Sequence, residues 1–153
     1  MMQLHKQIAS VAGVGYIKGG GTVAAIIFCI AWYLLPLLND YTYWQAAITT
    51  AITLIGTWSA NNVEPIWGED SSKVVIDEVA GMAITLLYAP HKIGYVLIAL
   101  ALFRFFDIVK PLGIRKLESI KGGVGVMADD ILSGIYAFVI LRLIILCQTH
   151  FFS

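Results

Sequence analysis

The chain has 153 residues, a formal net charge of zero, and 13% charged against 59% hydrophobic residues, with a mean hydropathy of +0.82. An ordinary soluble domain is about 25% charged and about 45–50% apolar, so this chain lacks the polar residues to clothe one and reads as an integral membrane protein. A neutral charge balance excludes nucleic acid as a partner, and Cys29 and Cys147 lie in apolar runs without CxxC or metal spacing and read as buried thiols.

Residues 1–21 are short and mixed, and end in Lys18-Gly19-Gly20-Gly21. Three consecutive glycines hold a helix poorly, which predicts a loop or re-entrant turn there. The glycine-interrupted start does not have the pattern of a cleaved signal peptide. Residues 22–38 form a first apolar segment, ending at Asn39-Asp40. The second covers about 44–60, and Tyr41, Tyr43 and Trp44 at its start suit a membrane interface. Residues 61–73 are polar, contain Pro65 and Gly68, and predict a loop.

A third helix is expected over 74–88, carrying Asp77, Glu78 and Gly81; a turn at Ala89-Pro90-His91-Lys92 follows. The fourth covers 94–109 and stops before Pro111, because the residue preceding proline is pushed out of the helical region. The fifth covers 131–147, with Arg142 near its far end placed to snorkel or to contact headgroups. The expected fold is therefore all-α: one domain over 1–153, a multi-pass membrane bundle of about five apolar helices. Each is slightly shorter than the roughly 20 residues needed to cross a bilayer upright.

Lys6 and Lys18 precede the first segment, and Lys110, Arg115, Lys116 and Lys121 fill the loop between the fourth and fifth. The positive-inside rule puts both on the cytoplasmic side. Alternating five spans then gathers Asp70, Asp77, Glu78, Arg104, Asp107, Asp129 and Asp130 near that boundary.

Ionisable groups at membrane depth are costly and face the bundle interior, paired or functional. Taken singly, each group here has an ordinary structural explanation. Asp129 or Asp130 could cap the fifth helix, Asp77 and Glu78 could favour a helix dipole, and Arg104 with Asp107 could be an i,i+3 ion pair. Together they repel unless basic side chains or a divalent cation compensate, and a hard cation such as Mg²⁺ takes carboxylate oxygens alongside substrate phosphate. Gly122-Gly123-Val124-Gly125, next to Lys121, could offer amides to a phosphate, or could be a flexible loop touching anionic lipid. Gly81, Ser133, Gly134 and Ala137 suit close helix packing, and His5, His91 and His150 lack partner spacing and take no role.

VIDEVAG at 75–81, FRFFDIVKP at 103–111 and GGVGVMADDILSG at 122–134 resemble the phosphatidylglycerophosphatase A family, with weaker agreement over 13–25. The family usually has Pro-Gly-Thr where this chain has Gly20-Gly21-Thr22. The resemblance implies an Mg²⁺-dependent phosphatase of the bacterial cytoplasmic membrane, active site facing the cytoplasm, that converts phosphatidylglycerophosphate to phosphatidylglycerol. Carried over by position, Asp77, Glu78, Asp129 and Asp130 would be catalytic. The same four with Asp107 would hold metal, and Arg104, Lys110 and Arg115 would hold phosphate; Lys121, beside the glycine cluster, is a further candidate phosphate ligand. Water and an aspartyl carboxylate both remain open as nucleophile. The alternatives are the same chemistry on another lipid or prenyl phosphate, and a small carboxylate-lined ion transporter.

Overall fold

Residues 79–85 are small or apolar apart from Thr85, and a helical stretch of that kind is buried on most sides. In a computed structural model, which describes residues 1–35 and 42–151, this segment is the centre of an all-helical bundle. The described residues form six α-helices: α1 (Met2–Ala9), α2 (Gly20–Leu34), α3 (Thr42–Trp67), α4 (Ile76–Thr85), α5 (Ile93–Val109) and α6 (Gly123–Phe151). Short 3-10 turns lie at Val14–Tyr16 and Ile114–Ser119. Helix α4 touches α2, α3, α5 and α6, while α1 packs on α3.

Small residues set the closest crossing. Gly81 of α4 and Gly134 of α6 meet backbone to backbone: a Cβ on Gly134 would lie 2.5 Å from the Gly81 carbonyl oxygen. Thr85 Oγ1 donates to the Gly81 carbonyl at 2.9 Å and reaches the Gly134 carbonyl at 3.4 Å. Ser133 and Ala137 are fully buried beside it. The expected packing role of these small residues is met.

The predicted boundaries of the fourth helix hold, but several others move. Residues 61–67 continue α3 instead of forming a loop, with Pro65 inside its last turn and Gly68, at φ +90°, following its end. The polar residues there have helical work: Asn61 Oδ1 accepts the Gly123 amide at 2.5 Å and Glu64 Oε1 the Gly122 amide at 3.2 Å. Helix α6 accordingly begins at Gly123, not at Ile131. Within 1–21, residues 2–9 are helical, and Gly20 and Gly21 open α2 rather than a loop. The break expected at Asn39-Asp40, and Tyr41, lie outside the described residues.

Two side chains also differ from expectation. Cys29 is buried but Cys147 is exposed, because an apolar neighbourhood in sequence does not decide which way a helix face points. Arg142 folds inward, donating to the Leu87 carbonyl at 3.2 Å and lying over the Tyr88 and Phe138 rings.

The exterior is apolar as well as the core: Ile30, Leu54, Leu97, Phe105, Leu143 and Leu146 are all exposed. Among the described residues one helix, Gly123–His150, is long and apolar enough to cross a membrane, and Gly20–Leu34 is a shorter apolar helix. Five comparable spans are thus not what the helices supply. Helix α4, at 10 residues, covers only about 15 Å.

Candidate active site

Segments far apart in the chain meet at one end of the bundle. Helices α2 and α4 begin there, α5 ends there, and α6 passes through with its second turn. Between them is a cavity of about 480 Å³ whose lining includes Lys18, Gly21, Thr22, Asp77, Glu78, Arg104, Asp107, Lys110, Asp129 and Asp130.

The first turn of α4 supplies Asp77 and Glu78, where the partial positive charge of the helix N-terminus favours carboxylates. Asp77 Oδ1 accepts the Glu78 amide at 3.1 Å. Asp129 and Asp130 stand on consecutive positions of α6, inside the helix, so neither caps it. Consecutive positions are 100° apart, which sends the two carboxylates to different partners.

Asp129 Oδ2 accepts from Lys110 Nζ at 2.5 Å. Lys110 can reach it because the chain turns left-handed there, at φ +49°, directly after α5. Asp107 Oδ2 lies 2.6 Å from Arg104 Nη1, one helical turn away, while Glu78 Oε1 is 3.9 Å from the same guanidinium nitrogen. Asp107 and Asp129 are therefore each matched to a cation.

Asp77, Glu78 and Asp130 are grouped differently. Each offers an oxygen within 4.8 Å of the other two, on a scale suited to sharing one ion. Burial, followed by the charges of Glu78 and Asp130, pushes the Asp77 carboxyl well above the usual carboxylate range. Glu78 Oε2 is buried and has no hydrogen-bond partner among the described residues, and the same holds for Arg104 Nε. A buried carboxylate oxygen without a donor costs free energy, and a hard divalent cation at this point would satisfy it. The donor set is all oxygen, as Mg²⁺ requires. These three residues fit such an ion.

The N-terminus of α2 closes the opposite wall. A Cβ on Gly21 would come within 1.7 Å of Glu78 Oε1, so glycine lets the α2 backbone approach that carboxylate without displacing the Glu78 side chain. This is the contribution that reading 18–21 as a loop missed; the glycine run and the family agreement over 13–25 were its signals. Two predicted phosphate ligands stand elsewhere. Arg115 is exposed on the 3-10 turn, outside the cavity lining, and Lys121 lines a neighbouring recess of about 270 Å³ that shares Asp70 and Asp129 with the cavity. The amides of Gly122 and Gly123 are taken by Glu64 and Asn61. Gly123 lets α6 start against the α3 backbone, where a Cβ would meet the Thr57 carbonyl oxygen at 2.5 Å.

An apolar-coated helical bundle with acids, Arg104 and Lys110 converging on one pocket has the build of a lipid phosphatase. Comparison with known proteins names the branch. The phosphatidylglycerophosphatase A family model matches residues 7–145, and the chain belongs to that family of lipid phosphatases. A Bacteroides thetaiotaomicron protein provisionally named a phosphatidylinositol-3-phosphatase is 48% identical over 127 residues, 79% of this chain and 80% of that one. The phosphatidylglycerophosphatases A of Haemophilus influenzae and Escherichia coli K12 are 43% and 33% identical, over 79% and 81% of this chain and 71% of each of theirs. No solved structure matches the chain.

Proposed function

We propose that the protein hydrolyses the terminal phosphomonoester of phosphatidylglycerophosphate at the cytoplasmic face of a bacterial membrane, giving phosphatidylglycerol and inorganic phosphate. The observation that carries the chemistry is the trio of Asp77, Glu78 and Asp130 with mutually close oxygens and a buried, undonated Glu78 Oε2. These three would hold Mg²⁺. The ion, when bound, would offset phosphate charge and polarise the phosphorus centre.

The remaining groups of the chain bind and orient. Arg104, with its unpartnered Nε, and Lys110 border the cavity and would face phosphate oxygens. Asp107 and Asp129 hold those two cations in place. Arg115 and Lys121 would meet substrate only outside the cavity, near the lipid surface. In the net reaction the bond between phosphorus and the glycerol oxygen breaks. The phosphoryl group passes to the oxygen of water, and the glycerol oxygen leaves with a proton. The apolar exterior supports a bundle seated in the bilayer, with α6 crossing it and the cavity at the headgroup level.

A second substrate has a specific observation behind it: the name of the 48% identical relative refers to a phosphatidylinositol 3-phosphate. Both are diacyl lipids with a phosphomonoester on a polyol, so the same groups would serve either. Purified protein given each lipid in mixed micelles, with Mg²⁺ or with chelator, decides the matter. We expect Mg²⁺-dependent phosphate release, faster from phosphatidylglycerophosphate. Faster release from the inositol lipid would reassign the substrate, and release from neither would end the phosphatase reading.

A further inference from the structure

Away from the cavity, α2 and α5 leave an apolar groove of about 200 Å³ between them. Ile26 and Ile30 form one wall, Leu97 and Leu100 the other, and the buried Cys29 and Val96 lie at its floor. Its lining is almost wholly apolar, yet it belongs to the same two helices that reach the acidic cavity. The geometry points to this groove as the seat of one acyl chain of the lipid substrate, with the polar head delivered into the cavity. This inference rests on the phosphatase reading of that cavity and adds how a lipid is chosen and placed.

Three observations converge on an acyl chain. The first is continuity along both helices. On α2 the groove positions 26, 29 and 33 share a face with Thr22, which lines the cavity. On α5 positions 93, 97 and 100 share a face with Arg104, which also lines it. At 100° per residue each of these sets falls within about 60°. Both helices thus run from a polar terminus at the cavity into an apolar stripe, on the sides that face the groove.

The second is depth. From Thr22 to Leu34 the α2 backbone rises about 18 Å. One leaflet of the hydrocarbon core is about 15 Å deep, half of about 30 Å. A chain lying in the groove would therefore traverse one leaflet while its headgroup stayed at the cavity. The third is exposure: Ile26, Ile30, Leu34, Ile93 and Leu97 are all between 40% and 68% exposed, so the groove is open along its outer side. A substrate diffusing in the leaflet can enter it sideways.

Tryptophan at Ile30 or Leu97 would fill the groove from its rim without entering the core or the cavity. Two measurements test the inference. In the first, kcat/KM is compared for diacyl phosphatidylglycerophosphate and for its deacylated, water-soluble headgroup. I30W and L97W should each lose about tenfold on the diacyl lipid through KM, the equivalent of about two methylenes no longer buried, and change little on the headgroup. L143W, on the exposed apolar face of α6, should match the parent on both. Equal losses on both substrates, or none on either, would overturn the assignment.

The second measurement does not depend on turnover. Vesicles containing phosphatidylglycerophosphate with a photoreactive diazirine at the end of one acyl chain are irradiated with the protein, and the labelled peptides are mapped. Labelling concentrated in 26–34 and 93–100, competed by unlabelled phosphomonoester lipid and reduced by L97W, supports the groove. Even labelling of all outward faces, α6 included, and indifferent to competitor, would mean that bulk lipid alone covers it. A protein that labels in the groove yet releases no phosphate would refute the activity while leaving the lipid seat standing.

Discussion

Asparagine in place of Asp77 separates what the carboxylate does for stability from what it does for chemistry. Its carboxyl is held above the usual range by burial, Glu78 and Asp130, so the folded state binds that proton more tightly than the unfolded chain does. Stability of the metal-free protein therefore falls as pH rises from the unfolded value toward the folded one. D77N should remove that burden and stabilise the chelator-treated protein by about 0.5–2 kcal/mol, seen as a higher melting temperature at pH 8. The same variant, like D130N and D129N, should lose nearly all phosphate release. Unchanged turnover in D77N would remove the proposed ion site. The raised Asp77 also implies proton competition, with apparent Mg²⁺ affinity weakening as pH falls; metal titrations by calorimetry at several pH values would read this directly. Gly21 is a second such position. A methyl there collides with the movable end of Glu78 rather than with backbone, so G21A should keep its melting temperature while activity drops about 10–100-fold, as for outer-shell disturbance of a metal site. Loss of fold in place of loss of activity would contradict that division.

At the scale of the elements, the crossing of α4 and α6 fixes the distance between Asp77-Glu78 and Asp130. Gly81 and Gly134 are about one helical turn from those acids, on the two backbones in contact. Here nothing flexible can yield, so G134A should cost about 1–3 kcal/mol, measured by thermal or denaturant unfolding. A neutral G134A would show that the helices are not so closely apposed. The contact of α3 with the start of α6 is of another kind. Asn61 and Glu64 accept the amides of Gly123 and Gly122, and N61A should lower stability by about 1 kcal/mol through an unsatisfied helix amide. These contacts explain why the sequence misled over 61–67: asparagine, glutamate and proline near a helix end look like a loop until the partner helix that needs their oxygens is in view. They also explain the late start expected for α6, whose glycines resemble a flexible loop but permit close backbone approach.

For the whole molecule, an apolar surface and a zero net charge would make the hydrophobic effect, not charge, the hold on a membrane. The protein should stay with the membrane fraction through a high-salt wash and leave it only with detergent; release by salt would contradict an embedded bundle. Composition alone made the apolar exterior legible, since too few polar residues exist to cover a soluble surface of this size. The motifs around Asp77, Asp107 and Asp129-Asp130 were equally legible, because ionisable residues stand out in an apolar chain and helical spacing already pairs Arg104 with Asp107. What the linear order could not supply was the division of five acids into two in close contact with Lys110 and Arg104 and three grouped with one another, with Glu78 also 3.9 Å from Arg104. Apart from the local Arg104–Asp107 pair, that division depends on gaps of a few ångströms between residues tens of positions apart. Such gaps are set by how closely glycine-bearing helices pack, which is why composition and spacing determined the kind of protein while tertiary packing alone decided which carboxylates stand close together.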